Sequence, residues 1–167
     1  VLRVNGDVLV AGLVKYPSGN QSNDQWNLGL VRYDATGSTR LTWSNPTPLY
    51  AHYQDQYIVF PNSANGLIRD IADVRVLGDR IYILVDEQYT NAINLSVARV
   101  HVFDLAGRLV TSVIPFSANS IGTADTQVLA GGLATYTDLV ANRRYLVVTG
   151  TRYRPDVGHG RPVIRRY

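Results

Sequence analysis

The densest run of chemistry-bearing residues is Arg152-Tyr153-Arg154-Pro155-Asp156-Val157-Gly158-His159-Gly160-Arg161. Its three arginines carry forked N–H donors whose spacing matches carboxylate and phosphate oxygens, and its glycines would let the backbone approach an anion closely. The plainer reading of the same stretch is a solvated loop, because it takes the place of Leu13 to Gln25 in the first copy of the repeat described below. A second group surrounds His52, where Tyr50, Tyr53 and Tyr57 stand among Gln54, Asp55 and Gln56. Aromatic faces of this kind stack on sugar rings while polar neighbours bond the hydroxyls; the alternative is a tyrosine-rich segment packing its own rings. With Trp43 at the head of that segment, the candidate ligand-binding residues are Trp43, His52, Tyr53, Arg152, Arg154, His159 and Arg161. No residue is assigned a catalytic role.

Other chemistries find little support. Without cysteine there is no disulfide, thiolate metal site or thiol nucleophile. Three histidines are too scattered to signal a metal, and His101, within Val100-His101-Val102, is expected at a surface or edge position. No nucleophile elbow, phosphate-binding loop, zinc helix or dinucleotide fingerprint is present. Asp70 and Asp73 lie close together and Asp55 and Asp86 are expected alone in loops, so no carboxylate pair of known separation is defined. Asp7, Asp34, Asp79 and Asp104 recur with a repeat and read as turn acceptors before calcium ligands. Neither a metal nor a cofactor is called for.

Composition narrows the partners. An apolar fraction of 46% with 17% charged residues in 167 residues indicates one folded domain with a real core. Lys15 is the only lysine, so the formal charge of +3 rests on arginine. No basic stripe or nucleic-acid motif accompanies it, which argues against nucleic-acid binding. Apolar runs such as Ile81 to Val85 and Tyr145 to Val148 are too short to span a bilayer as a helix. A chain that opens on Val1 and contains no methionine is expected to be a processed product or a fragment.

The scaffold that must position these residues is repetitive. In the first copy, Leu2 to Val4, the turn at Asn5-Gly6-Asp7, Val8 to Ala11, a polar loop, Trp26 to Tyr33, the turn Asp34-Ala35-Thr36-Gly37 and Ser38 to Trp43 read as successive strands and turns. The second copy repeats this order: Ile71 to Leu77, Gly78-Asp79, Ile81 to Val85, a loop over Asp86 to Asn94, Leu95 to Phe103, and Asp104-Leu105-Ala106-Gly107. Gly78 follows Gly6 by 72 positions and Asp104 follows Asp34 by 70, so the copies differ mainly in loop length. A third, partial copy runs from Thr137 through Asn142-Arg143 and Tyr145 to Gly150, ending at Val163 to Tyr167. The units span about residues 1–43, 71–116 and 137–167, separated by connectors at 44–70 and 117–136; Tyr57 to Phe60 in the first is read as an extra strand. Helical spacing is nowhere sustained.

Leu2-Arg3-Val4-Asn5-Gly6-Asp7-Val8-Leu9-Val10-Ala11-Gly12 followed by Leu28-Gly29-Leu30-Val31-Arg32-Tyr33-Asp34-Ala35-Thr36-Gly37-Ser38 resembles the bacterial delta-60 repeat. Gly6-Asp7 inverts that family's usual Asp-Gly order, and Val102-Phe103-Asp104 stands where it has Arg-Tyr. The resemblance implies an all-β fold of propeller-type blades in a secreted, periplasmic or cell-surface bacterial protein, with no catalytic residues to transfer. Two and a half blades leave a ring open, which calls for the remainder of a longer or cleaved polypeptide, or identical chains, to complete it. The function expected on such a scaffold is non-enzymatic binding of a glycan or protein ligand. The alternatives are a fragment of a propeller enzyme whose active residues lie on absent blades, and a structural subunit that assembles through open blade edges.

Overall fold

The computed structural model describes residues 1–16, 25–44, 57–60, 66–89, 96–116, 127–154 and 158–167, and these form three antiparallel sheets with no helix among them. The first sheet is a meander of β1 (Leu2–Val4), β2 (Asp7–Tyr16), β3 (Gln25–Tyr33) and β4 (Arg40–Leu41). A further strand, β5 (Tyr57–Phe60), pairs with Leu28 to Val31 of β3, while β4 pairs with Arg32 and Tyr33. The second sheet orders β6 (Gly66–Leu77), β7 (Arg80–Tyr89), β8 (Ser96–Asp104) and β9 (Leu109–Val113). The third holds β10 (Gln127–Asp138), β11 (Arg143–Arg154) and β12 (His159–Arg166). The fold is all-β.

Turn chemistry explains the spacing. Val4 pairs with Asp7 across Asn5 and Gly6, both at positive φ (51° and 91°), which is the backbone of the tight two-residue hairpin turn that asparagine and glycine tolerate. The two Asp-x-x-Gly turns are built alike. In the first, Asp34 Oδ1 accepts hydrogen bonds from the amides of Thr36 and Ser38, while Gly37 donates its N–H to the Asp34 carbonyl. In the second, Asp104 Oδ1 accepts from Ala106 and Arg108, and Gly107 donates to the Asp104 carbonyl. These aspartates are turn acceptors, as their recurrence indicates.

The second sheet lies between the other two, and strand alternation divides its side chains between two cores. Ile68, Ile81, Ile83, Val85 and Phe103 pack with Leu9, Leu28, Leu30 and Trp43 of the first sheet. On the opposite face Leu84, Ala98, Val100 and Val102 pack with Leu133, Leu146 and Val148 of the third, with Phe116 beside them. Each fully buried Leu or Ile contributes about 1.5–3 kcal/mol relative to exposure, so these two contiguous cores bind the sheets together.

Several strands outrun the pattern that predicts them. β2 continues to Tyr16 and β7 to Tyr89, so Asp86 lies on a strand and not in a loop. β10 begins at Gln127, inside the stretch expected as a connector, while Leu139 and Val140, 86% and 100% exposed, sit in the turn that follows it. The strand Ala130-Gly131-Gly132 carries a bulge and small side chains, which leave no apolar alternation to read. His101 is 3% exposed, which corrects its expected surface or edge position: it falls on the face of β8 that also carries Val97 and Phe103.

Candidate ligand-binding site

Pairing of β11 with β12 turns the arginine-rich stretch from a linear cluster into a two-strand array. Arg152 stands directly opposite Arg161, and Arg154 opposite His159. Leu146 and Tyr167 exchange both backbone hydrogen bonds (3.1 and 2.9 Å), which sets the alternation along the hairpin. Arg152–Arg161 is therefore a hydrogen-bonded pair, three such steps beyond Leu146–Tyr167. Alternation also puts Arg152 on the face that carries the buried Leu146 and Val148, at the margin of the core shared with the second sheet. Arg161 and His159 are exposed and Arg152 is partly buried.

Like charges placed directly opposite each other on neighbouring strands repel. The Nε of Arg152 is buried with no hydrogen-bond partner, and among the described residues neither Arg152, Arg161 nor His159 forms an ion pair. The register sets two arginines directly opposite each other, one of them exposed, and arginine donors of this kind suit an oxyanion. A β-carbon on Gly160 would lie 2.8 Å from Thr151 Cγ2, so the glycine leaves room for that neighbouring side chain.

The other sequence candidates lie elsewhere. His52 and Tyr53 fall outside the described residues. Trp43 is 3% exposed and belongs to the core between the first and second sheets, away from the arginine hairpin. Its Nε1, buried and without a partner, lies by a small cavity of about 20 Å³ whose lining includes Asn5, Asp7 and Arg32. That volume holds about one water molecule, so the pocket does not admit a sugar.

Two polar groupings escape sequence reasoning because they depend on register. Asp70 on β6 pairs directly with Asp86 on β7. β6 is irregular between Ile68 and Asp70 and again between Ile71 and Asp73, and each aspartate caps the amide that follows it: Asp70 Oδ1 accepts from Ile71 and Asp73 Oδ1 from Val74, both at 2.8 Å. Across to the third sheet, Asp86 Oδ1 accepts from the Ala130 amide at 2.6 Å and Asp73 Oδ2 from the Leu133 amide at 2.9 Å, on either side of the β10 bulge. Burial pushes the Asp86 carboxyl up from the usual carboxylate range; the Ala130 N–H opposes this and the Asp70 charge adds to it. Asp70, Asp73 and Arg75 also line an open recess of about 410 Å³ against Ala11 to Leu13 of the first sheet. Among the described residues no group of three or more His, Cys, Asp or Glu is arranged to hold a metal ion. The second grouping is Glu87, 1% exposed and ion-paired with Arg99, beside His101, whose Nδ1 lies 2.8 Å from Ser112 Oγ. Burial, aided by the Arg99 charge, lowers the His101 pKa to about 4.

No protein-family model and no curated protein matches the chain. Among solved structures it is similar to the tail fiber of Staphylococcus aureus phage P68, at 14% sequence identity and a TM-score of 0.42. That match covers 94% of this chain and 39% of the tail-fiber chain, so the present chain spans well under half of that structure. No helix of the described residues is long and apolar enough to cross a membrane.

Proposed function

We propose that the chain is a non-enzymatic binding module that engages a glycan or protein ligand through a carboxylate or phosphate group held by the β11–β12 hairpin. The observation that carries this reading is the cross-strand placement of Arg152 against Arg161, extended by Arg154 against His159. Three successive antiparallel sheets packed face to face support reading the scaffold as propeller-type blades. Titration calorimetry with polygalacturonate, dextran and inorganic phosphate tests the proposal. The acidic polymer is expected to bind and the neutral one not. Since a hydrogen bond to a charged group is worth about 1.5–3 kcal/mol, Arg161→Ala should weaken binding about tenfold or more. Equal affinity for both polymers, or no effect of Arg161→Ala in a folded protein, removes the reading.

A second reading, a subunit that completes its stack with identical chains or with the rest of a longer polypeptide, is favoured by a separate observation. Leu129, Tyr136 and Ile164 are exposed and pair with Thr151, Tyr145 and Thr149 of β11, which places them on the outer face of the third sheet, with Leu139 and Val140 exposed in the adjoining turn. Such concentrations mark interaction surfaces. Light scattering across a concentration series decides it, and a monomer at every concentration would remove self-assembly.

A further inference from the structure

The turn that joins β10 to β11 departs from its counterparts in the other sheets. Asn5-Gly6 and Gly78-Asp79 close their hairpins with two residues, whereas Asp138 pairs with Arg143 across four: Leu139, Val140, Ala141 and Asn142. The longer turn brings two large apolar side chains to its tip. Leu139 is 86% exposed and Val140 100%. Asp138 holds them there from beneath, since its Oδ1 accepts the amides of Val140 and Ala141 at 3.0 and 2.9 Å, and Asn142 completes the turn at a positive φ of 47°. Exposure goes with the turn's place in the sheet. The matching turn of the second sheet, which has a sheet packed against each face, is exposed too, with the Asp79 side chain at 75%.

We propose that this turn docks on an anionic lipid bilayer, with Leu139 and Val140 entering the acyl boundary and Arg143 and Arg144 lying against the headgroups. Those two arginines open β11 and are exposed, and among the described residues neither forms an ion pair. Asp138 beside them is turned to the turn's own amides. Charge selects the occupant. Residues 127–167 carry seven arginines against Asp138 and Asp156, a formal +5, while residues 1–126 carry nine basic against eleven acidic residues, a formal −2. Two copies meeting tip to tip would set arginine pairs against each other, whereas an anionic surface attracts them. Burial of the apolar pair then adds to that attraction, and arginine stems lie along an apolar boundary while their heads reach its phosphates. The site is distinct from the arginine hairpin, because Arg143 begins β11 and Arg154 ends it, roughly 35 Å apart at about 3.3 Å per residue. A docked turn leaves the hairpin free for its own ligand.

Sedimentation with vesicles of phosphatidylcholine alone, or with about a third phosphatidylserine, tests the proposal. The chain has no cysteine, so Val140→Cys carries a single environment-sensitive fluorophore at the tip, and Asp79→Cys carries it on the matching turn of the second sheet. The protein is expected to bind the anionic vesicles and not the neutral ones, and the label at 140 to shift to the blue while that at 79 stays in water. Leu139→Ser with Val140→Ser should weaken binding at least tenfold; both side chains stand in solvent, so neither change touches the core. Arg143→Gln with Arg144→Gln should weaken it at least fivefold and flatten its fall with salt. Arg161→Ala should leave it unchanged. If Arg161→Ala abolishes vesicle binding and the serine variant retains it, the hairpin grips headgroups as it grips other anions: the binding-module reading stands and this proposal falls. Failure to bind anionic vesicles, equal binding to neutral ones, or a label at 140 that stays in water overturns it. A concentration-dependent dimer that the serine variant loses would identify the occupant as a second copy and overturn the bilayer.

Discussion

A β-carbon built on Gly150 would stand 2.7 Å from the Leu129 carbonyl oxygen and 3.1 Å from Phe116 Cε2, whereas one on Gly12, the corresponding residue of the first copy, meets nothing within 4 Å. Backbone is the closer neighbour of Gly150, so the clash cannot be relieved by swinging a side chain aside. Overpacking of this kind costs about 1–3 kcal/mol, while replacing a strand glycine in open space by alanine recovers about 0.5–1 kcal/mol. Urea unfolding should therefore show Gly150→Ala clearly destabilised and Gly12→Ala unchanged or slightly stabilised; equal effects would mean that the core between the second and third sheets yields more than its geometry indicates. His101 makes a prediction in pH. Its folded pKa, about 4, lies below the ordinary 6.5, so between those values the unfolded chain binds the proton that the folded chain refuses. Stability is fully present above pH 6.5 and falls toward pH 4, by up to about 3 kcal/mol from this residue. His101→Gln should flatten that stretch of the stability profile measured by urea unfolding from pH 4 to pH 7.

At the scale of elements, the bulges of β6 and β10 join the second and third sheets. Regular strands pack by side chains alone, but here the Asp73 and Asp86 carboxylates accept backbone amides of the neighbouring sheet. Asp73→Ala leaves the Leu133 amide and the Val74 amide without their acceptor, and each such loss in a part-buried site costs about 1–3 kcal/mol. Asp86 behaves differently. Its folded pKa is raised, so the folded state holds the proton more tightly; that contribution is present below the unfolded value of 3.8 and is lost as pH rises through the folded value. Asp86→Asn keeps the Oδ1 acceptor and removes the charge facing Asp70. Its melting temperature at pH 7 should match or exceed that of the parent, and a marked fall would show the ionised carboxylate to be needed. The same elements show what was readable beforehand. Hairpins at Asn5-Gly6, Gly78-Asp79 and the Asp-x-x-Gly turns were legible because each turn needs a particular residue at positive φ or a particular acceptor. β10 was not, because its bulge and paired glycines remove the alternation that marks a strand. The Asp70–Asp86 pair was hidden because it depends on a register shifted by irregularities in β6, and no single segment records that shift. Within the candidate site, residue types were legible and partners were not: four cationic or titratable residues could be named, but only the hairpin register sets Arg152 against Arg161.

The whole molecule is electrically lopsided, with a formal +5 in residues 127–167 and −2 in residues 1–126. A net charge of +3 hides this, because it averages a basic third sheet with a mildly acidic remainder. Uneven fields of this kind guide charged ligands before contact, and they reach only as far as salt permits, about 10 Å at 0.1 M. An anionic ligand of the β11–β12 hairpin should accordingly bind with an association rate and affinity that both fall as salt rises. A neutral analogue occupying the same surface should show neither trend. Arg161→Ala should lower affinity at low salt and reduce the slope of log K against log salt, since one fewer charge is engaged. Asp79→Lys, at a 75% exposed side chain on the acidic part of the chain, changes net charge by two without touching the hairpin and should leave the slope nearly unaltered. Stopped-flow rates and calorimetric affinities from 50 to 500 mM salt separate the cases. If Asp79→Lys and Arg161→Ala shift the slope alike, binding follows net charge; if only Arg161→Ala does, the ligand reads the local array that pairing of β11 with β12 creates.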